Sequence, residues 1–295
     1  MLPRCVLVER TTDYQMLLAR HGTREQARFF LAQRGEELEE VERRDSKWRR
    51  QRASVLGAIP AEWRRTTLHR SDLDRFLFEP EDVIVVLGQD GLVANVAKYL
   101  TGQPVIGLNP EPDHYPGVLV LHTPDAAGEL LRDVARGRAS VQRRTMVEAV
   151  VDDGQRLLAL NEVFIGHASH QSARYEIFYR GVGERQSSSG VVVATGSGAT
   201  GWAASLHRER RSSLELPGPE ELRLAFFVRE AWPSVATGVS VTEGLLDVEN
   251  VLGVRCENGE GGVLFGDGIE ADRVVLDWGQ RVTVAPAQQA LALVF

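Results

Sequence analysis

The sequence has few cysteines and no long apolar run. Its two cysteines, Cys5 and Cys256, both lie in apolar, strand-like segments, which favours buried thiols over a disulfide and a reducing cytoplasm as the setting. No apolar stretch approaches the roughly 20 residues that a membrane-spanning helix needs. Because the first residues lead almost directly into a strand-like segment, we expect no signal or transit peptide and no membrane partner.

An excess of positive charge is also lacking. The 34 lysines and arginines are outnumbered by 41 aspartates and glutamates, giving a net charge of −7. Since nucleic-acid binding relies on cationic surfaces, this balance gives no support to a nucleic-acid partner.

The residues that are present suit a globular protein of two domains. The chain has 295 residues, of which 43% are hydrophobic and 25% charged, enough for one large or two ordinary domains. Helical and strand-like patterns alternate up to about residue 123, whereas short strands and many glycines dominate beyond it. We therefore predict an α/β domain with a parallel, Rossmann-like sheet over residues 1–123 and a β-rich domain over residues 124–295.

The most informative stretch of the first half covers residues 83–91. Five apolar residues, 83–87, predict a strand buried on both faces, and a turn ending at Gly91 precedes an apolar helical pattern. Strand, glycine turn and helix together aim backbone N–H groups at phosphate. Asp90 lies inside this turn, where its charge would repel phosphate unless it had chemistry to perform. The alternative is a tight turn with a helix-capping aspartate.

The following residues predict another strand and a loop at the same edge of the sheet. Residues 104–109 have the pattern of a buried strand, and a proline-rich loop follows over residues 109–117. Residues 118–121 predict one more short strand, and Thr123 is expected to begin a helix. In an open parallel sheet, ligands sit at the carboxyl ends of the strands, where this loop leaves.

Two further motifs lie in the second half. Asn161-Glu162 places an amide and a carboxylate in an apolar strand, which is costly unless both are partnered; the alternative is an edge strand in water. Residues 195–202, TGSGATGW, predict a hydroxyl- and glycine-rich cradle between strand and helix, or else a flexible loop capped by Trp202. His167 and His170 have the spacing of a metal pair, but no third ligand is near them in sequence.

In this order, the three motifs resemble those of the NAD kinase family, especially its mitochondrial-type branch. Residues 83–91 are similar to the strand leading into the family's GGDG motif, here a degenerate GQDG. Asn161-Glu162 matches the NE motif, TGSGATGW aligns with the family's TGS-type loop, and Asp267-Gly268 also fits the pattern. The resemblance covers nearly the whole chain, and it implies an α/β and a β-rich domain with the active site between them.

The resemblance also implies an activity and a role for each motif. It implies ATP-dependent phosphorylation of the 2′-hydroxyl of NAD or NADH, with Asp90 as the general base. Mg²⁺ is expected with ATP, although its ligands are not identifiable. Gly88 and Gly91 would let the triphosphate approach, and Asn161 and Glu162 would hold the ribose. The other dinucleotide-binding positions would be Ser189, Thr195, Ser197, Gly198, Thr200, Gly201 and Trp202.

Three positions depart from the family pattern. Gln89 replaces the second glycine of GGDG, and since glutamine at positive φ is strained, the turn is expected to be strained or reshaped. Leu92 replaces the usual threonine, and Ser189 stands where many bacterial members have aspartate. Two alternatives therefore stay open beside an NAD kinase. One is a kinase of another hydroxylated acceptor, and the other is a catalytically impaired NAD-binding sensor or partner protein.

A homo-oligomer, at least a dimer, is also expected. A β-rich domain with this much glycine and valine exposes strand edges, which proteins usually cover. The family resemblance implies a dimer or a larger homo-oligomer as well.

Overall fold

The computed structural model describes residues 3–295, and these residues form six α-helices and sixteen β-strands. They divide into two compact units. Unit 1 comprises the residues up to Tyr99 together with Gln103–Val141 and Ala292–Phe295. Unit 2 comprises Leu100–Gly102 and Gln142–Leu291.

Unit 1 contains a parallel sheet in the order β2-β1-β3-β4, and the final residues of β16 pair in parallel with β4. Every residue of β3 is buried, as the continuous apolar run predicts for a strand covered on both faces. The strands are β1 (Arg4–Glu9), β2 (Arg64–His69), β3 (Asp82–Leu87), β4 (Pro104–Leu108) and β16 (Arg281–Val294).

The helices of unit 1 are more divided than the sequence pattern indicates. The helical pattern predicted from Arg24 to about Ile59 is broken by a turn through Gly35, which has a φ of +71°. A further helix begins directly after Thr12, whose hydroxyl accepts the Gln15 N–H while the Gln15 side chain accepts the Thr12 N–H. The helices are α1 (Asp13–His21), α2 (Arg24–Ala32), α3 (Leu38–Ala58), α4 (Asp90–Ala97) and α5 (Ala127–Ala135).

The first unit extends beyond the boundary predicted after residue 123. Ala127 and Leu131 of α5 are fully buried in the same hydrophobic cluster as Leu7 and Val85 of the parallel sheet. The C-terminal residues return to this unit because the end of β16 pairs with β4. Long-range packing therefore decides the division of the chain, and the period of the local sequence does not reveal it.

Residues 118–121 form a bend, so the strand predicted there is wrong. Gly107 lies so close beneath them that a Cβ on it would stand 2.2 Å from the Leu119 carbonyl oxygen. Gly117 turns the chain just before this segment with a φ of +68°. The only strand-like pairing here is an isolated bridge between Leu108 and His122. The backbone N–H groups of the bend are thereby left for another partner.

Unit 2 is built from antiparallel strands in two sheets. One sheet has the order β12-β11-β10-β7-β14-β15; in the other, β16 pairs with β13, β13 with β8, and β8 with β9, while β5 joins β16 to β6. The strands are β5 (Val141–Val151), β6 (Arg156–Ala159), β7 (Glu162–His167), β8 (Ala173–Tyr179), β9 (Val182–Ser188), β10 (Val191–Ala194), β11 (Leu224–Val228), β12 (Glu243–Leu246), β13 (Leu252–Cys256), β14 (Gly262–Gly266) and β15 (Ile269–Leu276).

The strand alternation of unit 2 separates two apolar layers. Val191 and Val193 of β10 belong to the main core, which fills the space between the two sheets. Val192 and Ala194 point to the opposite face, where they meet Leu206 of helix α6 (Trp202–Arg210). The six-stranded sheet is therefore covered on both faces near β10, at the point where the TGSGATGW motif leaves it.

Cys5 and Cys256 are both buried and free, as predicted for core thiols. Burial raises the pKa of the Cys5 thiol to about 12. Within residues 3–295, no helix has the length and apolar character needed to cross a membrane.

Candidate active site

The Asp90 side chain is bound to a neighbouring loop of unit 1. Its Oδ1 accepts the N–H groups of Val118, Leu119 and Val120 at 3.0, 2.7 and 3.0 Å. Its Oδ2 also accepts the Val118 N–H, at 2.9 Å. Asp90 is the first residue of α4, yet no side-chain cap bond forms at the start of this helix. The carboxylate therefore satisfies the bend at residues 118–120, and the simple helix-cap alternative does not describe it.

Gln89 occupies the turn without backbone strain. Its φ of −107° and ψ of 166° are extended, so the strain that glutamine would have at positive φ does not arise. Its half-buried side chain lines a narrow cavity of about 50 Å³ together with Arg10, Arg44 and Trp48. An extended backbone suits any residue, and glutamine therefore fits this turn sterically.

The two glycines of the turn differ in their surroundings. A Cβ on Gly88 would stand 3.0 Å from the Leu92 side chain, so this position is filled by packing within the unit. Gly91 is exposed, and apart from its chain neighbours and the backbone of its own helix no atom lies within 4 Å of where its Cβ would be. Of the two, Gly91 leaves the backbone open to a ligand.

In unit 2, the Asn161-Glu162 and TGSGATGW motifs are joined by hydrogen bonds. The Thr195 N–H donates to the Asn161 carbonyl at 2.9 Å, and the Thr195 hydroxyl donates to the Leu160 carbonyl at 2.6 Å. The first residue of β7, Glu162, pairs with Ala194 of β10, so the two motifs lie on adjacent strands. The structure thus brings together two motifs that are distant in sequence.

The TGSG turn is closely packed against neighbouring backbone. The fully buried Thr195 accepts the N–H groups of Ser197 and Gly198 through its hydroxyl. A Cβ on Gly198 would lie 2.2 Å from the Asn161 carbonyl oxygen, and one on Gly196 would lie 2.0 Å from that of Gly218. These glycines are needed for close backbone approach.

The polar side chains of this turn are not all engaged. Ser197 is 5% exposed, and its Oγ has no hydrogen-bond partner among the residues that the structure describes. A buried hydroxyl without a partner is rare and leaves a polar atom for a ligand. Thr200 is exposed and donates to the Ser197 carbonyl, and Gly201 is exposed beside it.

Asp267 binds the backbone of residues 160–162, which we call the Asn161-Glu162 corner. The sequence assigns no role to Asp267. Its carboxylate accepts the N–H groups of Leu160 and Asn161 at 3.0 and 2.7 Å. Its own N–H donates to the Glu162 carbonyl at 3.0 Å. Asp267 has a φ of 52°, a left-handed conformation that aspartate tolerates better than most residues. The Asp-Gly pair at 267–268 indicates a turn in the sequence, but it does not indicate which N–H groups the carboxylate binds.

Glu162 is a half-buried carboxyl group with an altered pKa. Burial and the negative charge of Asp267 raise the pKa of Glu162 to about 7. A substantial fraction of the group therefore keeps its proton near neutral pH. In that state Glu162 can donate a hydrogen bond to a hydroxyl oxygen, and in the ionised state it can accept one.

Trp202 belongs to an aromatic cluster that the sequence did not reveal. Its ring stacks on Phe164 with 5.8 Å between centroids, and the Arg229 guanidinium lies 5.3 Å from the Trp202 ring. Phe164 is seated on two glycines, because a Cβ on Gly166 or Gly190 would lie 2.3 or 2.4 Å from its ring. In sequence, Phe164 is indistinguishable from an ordinary core residue of an apolar strand.

This cluster forms one side of an open pocket in unit 2. The pocket has a volume of about 540 Å³, and it is lined by both Trp202 and Ser189, two of the predicted dinucleotide-binding residues. Arginine and histidine side chains line the same pocket. The lining residues that carry charge or can become charged are His167, His170, Arg229, Glu270 and Arg273.

No group of three His, Cys, Asp or Glu side chains suited to a metal ion occurs within residues 3–295. His167 instead accepts the Ser169 N–H through Nδ1 at 3.0 Å, which closes a local turn. Mg²⁺ commonly binds through substrate phosphates and water with only one or two protein carboxylates, so the expectation of Mg²⁺ does not require such a group.

Curated proteins similar to this chain are NAD kinases, although no protein-family model matches it. An NAD kinase of Symbiobacterium thermophilum is 37% identical over 136 residues, which cover 42% of this chain and 46% of that protein. One of Chlorobaculum tepidum is 27% identical over 128 residues, or 42% of this chain and 44% of that protein. The match therefore spans somewhat under half the length of these relatives.

Solved structures share the fold over the whole chain. Yeast NADH kinase complexed with NADH has a TM-score of 0.59 and 15% identity, covering 100% of this chain and 84% of that one. An NAD kinase from Archaeoglobus fulgidus in complex with ATP has a TM-score of 0.59 and 17% identity, covering 100% and 94%. The predicted two-domain fold and the resemblance to the NAD kinase family are confirmed; the mitochondrial-type branch stays a prediction.

Glu162→Gln should change the pH dependence of stability. The pKa of Glu162 rises from 4.5 to about 7 on folding, so the folded state holds the proton more tightly. The resulting stabilisation is complete below pH 4.5 and is lost as the pH rises to 7, by an amount on the order of 2–3 kcal/mol. Urea unfolding at pH 4.5, 6 and 7.5 should show this loss in the parent but not in Glu162→Gln.

The exposed Glu81 provides a control. Glu81→Gln also removes one carboxyl group and should retain the decline of the parent. Parallel stability curves for the parent and Glu162→Gln would contradict the assignment.

Proposed function

We propose that this chain, a homologue of the NAD kinases, transfers the γ-phosphoryl group of ATP to the 2′-hydroxyl of NAD or NADH. The observation that carries the proposal is the hydrogen-bonded corner of unit 2. There, Thr195 binds the backbone of Leu160 and Asn161 although these motifs lie about 35 positions apart. The Asn161-Glu162 corner and the adjoining turn combine the amide of Asn161, the carboxyl of Glu162 and the unpartnered buried hydroxyl of Ser197. These groups support the binding of a ribose, as the family resemblance implies.

In the proposed reaction, Asp90 accepts the proton of the acceptor hydroxyl. The hydroxyl oxygen forms a bond to the γ-phosphorus as the bond to the bridging oxygen breaks, and ADP leaves with that oxygen. Phosphoryl transfer depends mainly on positioning and charge neutralisation. Mg²⁺ bound to the phosphates would supply the neutralisation, while the open backbone at Gly91 gives the phosphates access to the turn.

Unit 2 would position the dinucleotide. Asn161 and Glu162 would bind the ribose hydroxyls, with protonated Glu162 donating and the Asn161 amide able to donate or accept. The unpartnered Ser197 hydroxyl is a further donor in the same turn. Ser189 and Trp202 line an adjoining part of the proposed surface, where a planar ring could contact the aromatic cluster.

The alternatives are a kinase of another hydroxylated acceptor and an NAD-binding sensor that has lost transfer. The extended backbone of Gln89 is compatible with the enzyme, because the turn accepts glutamine without strain. The backbone of Gln89 does not bear on the identity of the acceptor. Incubating the protein with ATP, Mg²⁺ and a panel of hydroxylated compounds, and identifying which of them is phosphorylated, distinguishes NAD from NADH and from other acceptors. A cytoplasmic setting also stays a prediction.

Asp90→Asn should abolish transfer and leave dinucleotide binding nearly intact. Asparagine keeps an Oδ1 for the three N–H groups but cannot take the proton, and loss of a general base typically costs about 100- to 10,000-fold in turnover. Chromatography of NADP formation and calorimetric titration with NAD measure the two quantities. Equal turnover in the variant and the parent would mean that Asp90 only holds the loop.

Gln89→Gly should change the apparent affinity for ATP more than that for the dinucleotide. The substitution removes a side chain beside the proposed phosphate turn without relieving strain, since the φ of Gln89 is already −107°. Initial rates at varied ATP and varied NAD separate the two effects. If parent and variant are both inactive with every acceptor yet bind NAD tightly, the sensor alternative replaces the kinase.

We also propose a homo-oligomer that covers the strand edges of unit 2. β12 and β15 are the two edges of the six-stranded sheet, and Val275 of β15 is 58% exposed. Light scattering should give a multiple of 32.6 kDa at micromolar concentration. A mass of one chain under those conditions would contradict the proposal.

A further inference from the structure

Three successive backbone N–H groups in unit 1 converge on one point. Those of Val118, Leu119 and Val120 all donate to Oδ1 of Asp90 at 3.0 Å or less. Consecutive N–H groups that face one point form an anion-binding concavity, often called a nest. Here the anion is a carboxylate of the same chain. The geometry is thus that of an anion site with an internal occupant.

The surroundings of the nest hold its shape without Asp90. The Asn109 side chain donates to the Tyr115 carbonyl at 2.6 Å and accepts the Glu111 N–H at 2.9 Å. The backbone of His122 closes the other end, because it accepts the Asn109 N–H at 2.7 Å and donates to the Gly107 carbonyl at 3.2 Å. The loop is therefore anchored to the end of β4 at both sides.

The close contact with Gly107 adds a second constraint. Because the Leu119 carbonyl oxygen would lie 2.2 Å from a Cβ on Gly107, the bend rests directly on the β4 backbone. Gly117, with a φ of +68°, sets the direction in which the chain enters the bend. These contacts do not involve the carboxylate, so the three N–H groups should remain convergent when it leaves.

The nest can be reached from outside. Asp90 is only partly buried, Val118 is 41% exposed, and Gly91 beside it is exposed with open space above its backbone. An anion that entered there would meet the three N–H groups and the positive N-terminal end of α4. It would also have to displace the carboxylate, because two anions cannot share the same donors.

We propose that the nest at residues 118–120 is a phosphate-binding site and that the Asp90 carboxylate occupies it when no phosphate is bound. Exchange with a phosphate oxygen would release the carboxylate lone pairs that now accept N–H groups. The role of this exchange in catalysis rests on the proposed function. In that reaction, the arriving phosphate frees Asp90 to accept the proton of the acceptor hydroxyl. The base is therefore engaged with the loop until a phosphoryl group is present.

The test is binding of inorganic pyrophosphate to the full chain without any dinucleotide. Pyrophosphate should perturb the ¹H–¹⁵N signals of residues 118–120. Asp90→Ala removes the internal competitor, so it should bind pyrophosphate about tenfold more tightly than the parent, with the same amide signals perturbed. If Asp90 only holds the loop in place, Asp90→Ala should bind pyrophosphate more weakly than the parent, because the loop would lose its order.

Two further variants separate the nest from general charge effects. Asp113→Ala removes a largely exposed carboxylate from the same loop, outside the nest, and should leave the affinity close to that of the parent. Gly117→Ala keeps Asp90 but forces a Cβ to within 2.6 Å of the Val120 carbonyl oxygen at positive φ, and should abolish binding at the nest.

Several results would overturn the inference. These are equal or weaker pyrophosphate binding in Asp90→Ala, perturbed signals that do not include residues 118–120, or unchanged binding in Gly117→Ala. Because the readout is binding and not turnover, the outcome is distinct from that of the kinase assay. A chain that phosphorylates NAD without pyrophosphate binding at the nest would retain the proposed function and refute the exchange.

Discussion

In each unit, one carboxylate satisfies successive backbone N–H groups of a turn. Asp90 accepts those of residues 118–120 in unit 1, and Asp267 accepts those of Leu160 and Asn161 in unit 2. Buried or partly buried N–H groups need partners, and irregular segments cannot obtain them from a strand ladder. Carboxylates are strong acceptors for such groups. Asp90 is thus held in place by the N–H groups that it satisfies, and the bonds of Asp267 tie it to the backbone beside Glu162.

This arrangement has an electrostatic consequence in unit 2. Asp267 fixes the corner by its hydrogen bonds, and its charge also contributes to the raised pKa of the neighbouring Glu162. The corner therefore contains two different carboxyl groups. That of Asp267 is hydrogen-bonded to the backbone, and that of Glu162 changes protonation near neutral pH. The first positions the strand, and the second is available to a ligand. Two acidic residues of similar chemistry are separated in role by what each one contacts.

The glycines of the TGSG turn illustrate how a motif can serve the fold and a ligand together. From the sequence, they predict an open backbone that a nucleotide could approach. In the structure, Gly196 and Gly198 are filled by neighbouring backbone, since a Cβ on Gly198 would meet the Asn161 carbonyl. Gly91 in the other unit retains open space. The residue type alone does not distinguish a glycine needed for packing from one that leaves a surface free.

Local pattern determined the buried strand β3, the change from α/β to β-rich sequence, the two core thiols and the three motifs, because each depends on residues that are neighbours along the chain. Tertiary structure alone decided the rest. The bend at residues 118–121 depends on contact with Gly107, the place of α5 on packing against β1 and β3, and the pKa of Glu162 on burial beside Asp267. Each of these outcomes requires two segments distant in sequence to meet, and no local period records such a meeting.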